Sequence, residues 1–426
     1  MARSTAAREN DASRAPHWGG DVVVVLGSRR EAISLAPLIR VMSSSPRWNV
    51  SVVTTSGGGA TLTRTLETLD VVATEDLAIE LPGLSVDTLI GRAIERTHAI
   101  VSRRRPHALI VEGESTTVLG ASLAAFHEGV MVAHVCSTTL VPHSRASGAA
   151  AITAMNARVI AQLAHLHFVP GAAVSTSLLH QGVDPHSVVI VGSPAIDNLR
   201  WILRNKPGQS QFASPRRHIL VVLRQSEFVT TALDVVTKVT ARLASAADVE
   251  IVVPIRHRLV VRSLVEGRLG TLARVRLTND LDYRDYVATL EGADLVLTDS
   301  PSVQAEAQAL RKPCVRTSDD QFDDDATSAS DARGDADGGL VTGDVVVGDP
   351  AQRVEAVFAQ IRRLLDDEEY DADVTATYEA GLGGLAANSM ELRLRAELES
   401  RVRSEGRRGE SLLGATSGAR NNGRAK

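Results

Sequence analysis

Residues 21–38 read DVVVVLGSRREAISLAPL, and this stretch decides the fold class. A β-branched apolar run, Val22–Leu26, is followed by Gly27 and then by a segment with the periodicity of an amphipathic helix. A strand that is apolar on both faces and leads straight into a helix is typical of a parallel sheet covered by helices. We therefore predict that the fold begins with a βαβ unit.

The same alternation of a short apolar run and a helical segment continues along the chain. Further runs up to residue 191 are Val50–Thr54, Ala108–Val111, Val130–Val135, Leu166–Val169 and Val188–Val191. The alternation restarts after residue 217 with His218–Leu223, Glu250–Pro254, Arg274–Thr278, Asp294–Thr298 and Pro313–Arg316. We predict an α/β protein with two facing, doubly wound Rossmann-like domains, and the cleft between them as the default ligand site.

Composition sets the predicted domain bounds. The N-terminal Rossmann-like domain spans 21–203, a Pro- and Ser-rich linker spans 204–217, and the C-terminal Rossmann-like domain spans 218–372. A helical segment, 373–403, follows. The leader 1–20, the Asp-rich loop 319–339 and the basic tail 404–426 have too little apolar periodicity to offset the entropy of ordering, so we expect all three to be disordered.

Charge and cysteine content exclude several classes of protein. The chain has 426 residues and a formal net charge of −5, which gives no general attraction for nucleic acid. Two cysteines, Cys136 and Cys314, fit a reducing compartment and cannot form a CxxC-type zinc site. No apolar run approaches the roughly 18 residues that cross a bilayer. We expect a soluble cytoplasmic protein that binds neither nucleic acid nor a metal and does not insert into a membrane.

Polar residues at the ends of two predicted strands are candidates for the first half of a site. The turn after Val22–Leu26 contains Gly27 and Arg29 and leads into a helix, where backbone N–H groups favour a phosphate. The alternative is a solvated pair of arginines, Arg29 and Arg30, beside a tight turn.

Two carboxylates, Glu112 and Glu114, follow Ala108–Val111, and Glu114 is the candidate general acid or base. The alternative for Glu114 is an N-cap or an acid in the first turn of the next helix.

The second half of a site is predicted after the run Asp294–Thr298. Ser300 precedes Pro301, a residue typical of a first helical position, so Ser300 and Ser302 would face the cleft with free helix N–H groups suited to a diphosphate. Glu306 lies at the edge of the apolar stripe of this helix and could accept both hydroxyls of a ribose. The alternative for Glu306 is an exposed helix glutamate.

Several segments, in this order, resemble motifs of the non-hydrolysing UDP-N-acetylglucosamine 2-epimerases. Residues 27–38 resemble GTRPEAIKxAPL, residues 112–117 stand where that family has HGDTTT, and residues 134–136 stand at the start of HVEAGLR. Residues 192–197 stand at GNTVIDA, while 281–286 and 297–307 match PLDYxxF and LTDSGGIQEEA. The resemblance covers about residues 21–370.

The resemblance implies a GT-B-like fold in which the second domain holds most of the UDP and a C-terminal helix crosses back to the first domain. It implies epimerisation at C2 between UDP-GlcNAc and UDP-ManNAc, with no cofactor. A base removes the C2 proton, UDP leaves to give a glycal, and both steps reverse on the other face. The same resemblance implies a homodimer and a UDP-sugar as ligand.

Carried over by motif, Glu114 and Arg29 are the expected catalytic residues. Gly27, Glu31, Glu227 and His257 are expected to bind substrate, together with Ser300, Ser302 and Glu306. His257 takes the place of the family's PVH histidine only with a shift of one residue, because straight alignment puts Arg256 there.

Some positions depart from the motifs. Cys136 replaces the glutamate of HVE, Ser34 replaces a lysine, and the residues near Thr153 include no carboxylate. Cys136 is either a thiolate base or a buried small apolar residue. Because one of three proton-handling carboxylates remains, we expect epimerisation to be weak or lost. If the site proves active without the family's other acids, Glu112 or Glu227 could have taken over the proton transfers. The alternatives are a non-catalytic protein that binds nucleotide sugars and a glycosyltransferase of the same fold.

Overall fold

The computed structural model of the protein describes residues 19–56, 59–80, 83–137, 148–223, 231–255, 259–317, 344–345, 350–366 and 385–420. The leader up to residue 18 and the acidic loop 319–339 lie outside them. Within this part of the chain, no helix is long and apolar enough to cross a bilayer.

The first domain contains seven parallel strands in the order β3-β2-β1-β4-β5-β6-β7. The strands are β1 Gly20–Leu26, β2 Trp48–Thr54, β3 Glu75–Asp76, β4 Ala108–Glu112, β5 Met131–Val135, β6 Leu166–Val169 and β7 Val188–Ile190. The helices between them are α1 Arg29–Ser43, α2 Ala60–Thr68, α3 Val86–Arg104, α4 Thr116–His127, α5 Gly148–Leu163, α6 Ala172–Leu179 and, after β7, α7 Pro194–Asn205.

The second domain repeats this plan with six parallel strands in the order β10-β9-β8-β11-β12-β13. The strands are β8 Arg217–Val222, β9 Val249–Ile255, β10 Val275–Asn279, β11 Leu295–Thr298, β12 Cys314–Thr317 and β13 Asp344–Val345. The helices are α8 Thr231–Ala246, α9 Leu259–Leu269, α10 Tyr283–Glu291, α11 Pro301–Ala309, α12 Pro350–Asp366 and α13 Ala386–Arg420. Two doubly wound sheets of Rossmann type are therefore confirmed.

All the predicted strands are present, and two short ones, β3 and β13, are additional. Each of these has two residues, and a pair of residues carries no hydrophobic period from which a strand could be predicted. In each sheet the strand order reverses at one point, between β1 and β4 and between β8 and β11. Ligands of open parallel sheets bind outside the carboxyl ends of the strands at such points.

Serine caps direct the chain at the switch point of the first sheet. Ser28 begins α1 by accepting the Glu31 N–H at 3.3 Å, and Ser115 begins α4 by accepting the Val118 N–H at 3.2 Å. Both helices therefore start directly after a strand, as the sequence predicts. The residues between strand and cap are held at the carboxyl edge of the sheet.

The two domains and the last helix share one apolar core. This cluster includes Leu26 of β1, Val222 of β8 and Leu394 of α13. Helix α13 packs on α1 and α7, and Glu391 accepts a hydrogen bond from the Trp48 Nε1–H at 2.9 Å. The expected return of the C-terminal helix to the first domain is therefore present.

Helix α13 is longer than predicted. It continues through residues 404–420, which were expected to be disordered, so that expectation is corrected for these residues. The reason is that a helix already nucleated on the core adds further residues at low cost. The added stretch contains four glycines, so its helix depends on continuity with the packed part of α13 rather than on intrinsic propensity.

Candidate functional site

A buried carboxylate lies against the first turn of α1. Glu31 is 4% exposed, and one of its oxygens accepts the backbone N–H of Gly27 at 2.5 Å. Burial raises the pKa of Glu31 to about 8, and the negative charge of Glu112 contributes to the same shift. Glu31 is therefore a proton-binding group near neutral pH, next to the turn that follows β1.

Gly27 is required at this turn because other groups approach it closely. A Cβ atom at this position would lie 2.7 Å from Thr55 Oγ1 and 2.8 Å from Glu80 Oε1. Glu80 also accepts hydrogen bonds from the hydroxyls of Thr55, at 3.1 Å, and Thr117, at 2.9 Å. Glu80 was not a candidate from the sequence, since it lies in an irregular segment after β3 and no strand or helix pattern marks it.

Two more carboxylates flank one guanidinium group at the end of β4. Nη2 of Arg30 lies 3.7 Å from Glu112 Oε2 and 3.7 Å from Glu114 Oε2. Both glutamates are buried, at 1% and 6% exposure, whereas the Arg30 side chain is 53% exposed. Burial raises the pKa of Glu112, while the charge of Arg30 acts against that shift. The charge of Glu112 in turn raises the pKa of Arg30.

Two buried side chains, His134 and Asn156, contact the backbone carbonyl groups between and beside these two carboxylates. Gly113, between them, has φ of +80°, and a Cβ atom there would lie 2.5 Å from Arg30 Nη2. His134 Nε2 lies 3.1 Å from the Gly113 carbonyl oxygen, and Asn156 donates to the Glu114 carbonyl at 3.1 Å. Burial lowers the pKa of His134 to about 4, so this imidazole is neutral at pH 7 and can donate to Gly113.

Cys136 has the surroundings of a structural residue. It is fully buried, is not in a disulfide, and packs with Ala157, Ala161 and Val169. These neighbours are the ones expected for a buried small apolar cysteine, the alternative to a thiolate base. The exposed Ser137 that follows it donates a hydrogen bond to Glu112 Oε1 at 2.9 Å.

The second domain contributes the start of α11. Ser300 is the N-cap residue but makes no side-chain cap bond; its hydroxyl lies 3.0 Å from that of Ser302. Glu306 is 4% exposed, so the alternative of an exposed helix glutamate is wrong. The Tyr286 hydroxyl donates to Glu306 Oε2 at 2.5 Å, which fixes the carboxylate against α10.

A cavity lies between the two domains. Arg29 Nη1, from the start of α1, lies 3.2 Å from Asp280 Oδ2, which follows β10. Both side chains are mostly buried, with 14% and 28% exposure. The cavity is lined by Arg29, Val222, Leu223, Pro254, Asp280, Leu281 and Tyr286.

The predicted site residues that the structure describes therefore fall into two groups, one in each domain. Gly27, Arg29, Glu31 and Glu114 lie in the first domain, and Ser300, Ser302 and Glu306 lie in the second. Glu227 and His257 lie outside the described residues.

Sequence reasoning did not select Arg30, Glu80, Asp280 or Tyr286. Glu112 was named only as a second carboxylate beside Glu114, and the structure places it at the end of β4. Among the described residues, no cluster of His, Cys, Asp and Glu could hold a metal ion.

Comparisons with known proteins agree on one family. The family model described as UDP-N-acetylglucosamine 2-epimerase matches residues 43–321. The chain is similar to proteins named UDP-N-acetylglucosamine 2-epimerase from Escherichia coli K12, with 28% identity over 369 residues (82% of this chain, 92% of that protein), and from Bacillus subtilis 168, with 26% identity over 297 residues (69% and 77%).

A solved structure supports the same architecture. The UDP-GlcNAc 2-epimerase from Neisseria meningitidis bound to UDP-GlcNAc superposes with a TM-score of 0.74 at 22% identity, covering 88% of this chain and 100% of that one. At this identity the likeness concerns the fold, and it confirms the predicted GT-B-like arrangement.

Proposed function

Because the chain belongs to the UDP-N-acetylglucosamine 2-epimerase family, we propose that it binds a UDP-sugar between its two sheets and epimerises UDP-GlcNAc at C2. The observation that carries this proposal is the cavity that Arg29 and Asp280 span. In the first domain, Arg29 follows the same strand as the buried carboxylate Glu31, which is suited to proton transfer. In the second domain, Tyr286 lines the cavity and contacts Glu306 of α11, a helix whose start is suited to a nucleoside diphosphate.

The second domain would hold the nucleotide. Ser300 and Ser302 stand at the start of α11, where the backbone N–H groups of the first turn favour an anion. Glu306, one turn further, offers a buried carboxylate that can accept the two hydroxyls of a ribose. Arg29 would reach the same diphosphate from the first domain and stabilise it as it leaves.

The first domain would carry the proton transfers. In the elimination step a carboxylate such as Glu114 accepts the C2 proton. The C2–H electron pair then forms the C1=C2 bond, and the C1–O bond breaks with its electrons leaving on UDP. The addition step reverses these changes with a proton delivered to the other face of C2. Each positioned acid or base of this kind contributes about 10²–10⁴-fold to the rate.

Two measurements test the proposal. Calorimetric titration with UDP, UDP-GlcNAc and UDP-glucose should detect binding of at least one of them, and no binding of any at millimolar concentration would refute the cleft site. Incubation of UDP-GlcNAc in D₂O, followed by NMR at C2, should show deuterium and UDP-ManNAc. Binding without deuterium would instead favour a non-catalytic nucleotide-sugar protein, and release of UDP only with a sugar acceptor would favour a glycosyltransferase.

The family also suggests the assembly. We propose a homodimer, which sedimentation velocity on the full chain tests directly by its mass.

A further inference from the structure

Glu112 is a buried carboxylate that the proposed mechanism has not yet used. Its Oε1 accepts a hydrogen bond from Ser137, and its Oε2 accepts none from the described residues. The two side chains over it, Ser137 and Arg30, are both exposed. Glu112 therefore lies directly beneath solvent-facing groups, at the carboxyl end of β4.

The position of Glu112 relative to Glu114 is suited to proton transfer at a single carbon. Their Oε2 atoms each lie 3.7 Å from the same nitrogen of Arg30, so they are separated by at most about 7.4 Å. The two carboxyl groups that flank the scissile bond in glycosidases stand about 5 to 9.5 Å apart, and the bound on the Glu112–Glu114 distance is compatible with such a spacing. The +80° φ of Gly113 turns the backbone between them and leaves room for the guanidinium group.

We propose that Glu112 is a second catalytic carboxyl group, which acts with Glu114 on the two faces of C2; this inference rests on the proposed epimerisation. In the ligand-free chain Arg30 separates the two carboxylates. A diphosphate that enters the cleft attracts the half-exposed guanidinium of Arg30. When Arg30 moves towards the diphosphate, the negative charges of Glu112 and Glu114 are left close together. One of the pair then holds a proton, as carboxyl pairs in active sites do.

The proton balance closes within this pair. Ionised Glu114 takes the C2 proton while the C1=C2 bond forms and the C1–O bond breaks, so UDP leaves with the electron pair. Glu112 then gives its proton to C2 on the opposite face, and the UDP oxygen bonds to C1 again. Glu114 now holds a proton and Glu112 is ionised. After product release, Glu114 gives its proton to solvent water and Glu112 takes a proton from solvent water, which restores the starting state.

The test compares Glu112→Gln with the wild type and with a matched surface control, Glu95→Gln on α3. With UDP-GlcNAc in D₂O, Glu112→Gln should form UDP-ManNAc about 10²–10⁴-fold more slowly than the wild type. Its dissociation constant for UDP should stay within about threefold of the wild-type value. The variant should still release UDP and glycal, because Glu114 can begin the reaction, whereas Glu114→Gln should release neither.

The results of this experiment distinguish failure of the role proposed for Glu112 from failure of the proposed epimerisation. UDP-ManNAc formation by Glu112→Gln within threefold of the wild-type rate would overturn the role of Glu112 and leave the epimerisation intact. Absence of any C2 exchange in the wild type would overturn both. If Glu112→Gln melts early, Glu112→Asp keeps the charge one methylene further back; a rate between those of wild type and Gln supports the inference, and a wild-type rate overturns it.

Discussion

Replacing Asp280 by asparagine should raise the affinity of this protein for nucleoside diphosphates. Arg29 Nη1 lies 3.2 Å from Asp280 Oδ2, and both side chains are mostly buried between the domains. A diphosphate that binds Arg29 must therefore displace a carboxylate already held there. Asparagine has nearly the same shape but no charge, so Arg29 becomes available at lower cost.

The size of the effect follows from this geometry. Two unit charges 3.2 Å apart attract by about 5 kcal/mol at an effective dielectric constant of about 20. Desolvation of both groups offsets most of this attraction, so the net gain is about 1–2 kcal/mol. Since 1.4 kcal/mol corresponds to a factor of ten, the dissociation constant for UDP should fall by about 5- to 30-fold.

The assay is calorimetric titration of wild type and Asp280→Asn with UDP and with uridine. Uridine has no phosphate and should bind both proteins equally. Asp248→Asn, which removes the same charge from an exposed position in the second domain, is the control and should behave as the wild type. Equal or weaker UDP binding by Asp280→Asn would show that Asp280 supports the ligand rather than competing with it.

Three further predictions concern stability. Tyr286→Phe removes the hydroxyl that donates to buried Glu306 and should lower the free energy of unfolding by about 1.5–3 kcal/mol in urea titrations; an unchanged midpoint would contradict the bond. Gly113→Ala places a Cβ atom at a residue whose φ is +80°, next to the flexible end of Arg30, and should lower the free energy of unfolding by about 1–2 kcal/mol in the same assay. An unchanged free energy of unfolding would show that the turn relaxes without strain. Glu31 has its pKa raised to about 8, so the folded chain retains a proton that the unfolded chain loses near 4.5, and the free energy of unfolding should fall as pH rises towards 8. Between pH 6.5 and 8, the free energy of unfolding should fall less steeply with pH in Glu31→Gln than in the wild type, by up to about 1.4 kcal/mol per pH unit. Equal slopes in the two proteins would refute the raised pKa of Glu31.

The two parallel sheets were predictable because their strands are apolar on both faces and alternate with helices. Val22–Leu26 and Ala108–Val111 show this pattern without interruption, and the structure contains both as neighbouring strands. The end of α13 was not predictable in the same way. Residues 404–420 have no apolar stripe, and their helix is continuous with one that packs on α1 and α7.

The residues of the site also divide into those that a local sequence pattern marks and those that only tertiary contacts bring together. Glu114, Ser300 and Glu306 could be proposed because each follows a strand or lies on a helix whose phase the sequence reveals. The partners Arg30, Asp280 and Tyr286 could not, because they meet the site only through tertiary contacts. The motif departures predict weak or absent epimerisation, whereas the role proposed for Glu112 predicts formation of UDP-ManNAc. The incubation in D₂O decides between these two predictions.

The contacts of one short segment suggest how ligand affinity is set. Asp280 holds Arg29, and Tyr286, at the other end of the segment, holds Glu306. These are the two groups proposed to bind the diphosphate and the ribose, and they belong to different domains. A nucleotide therefore exchanges existing charged contacts for new ones, so its net affinity is the difference between the two sets. Because the Arg29–Asp280 pair also joins the domains, exchange at Arg29 necessarily removes one contact across the cleft. Ligand binding and the relative position of the two sheets are thereby coupled through the Arg29–Asp280 pair.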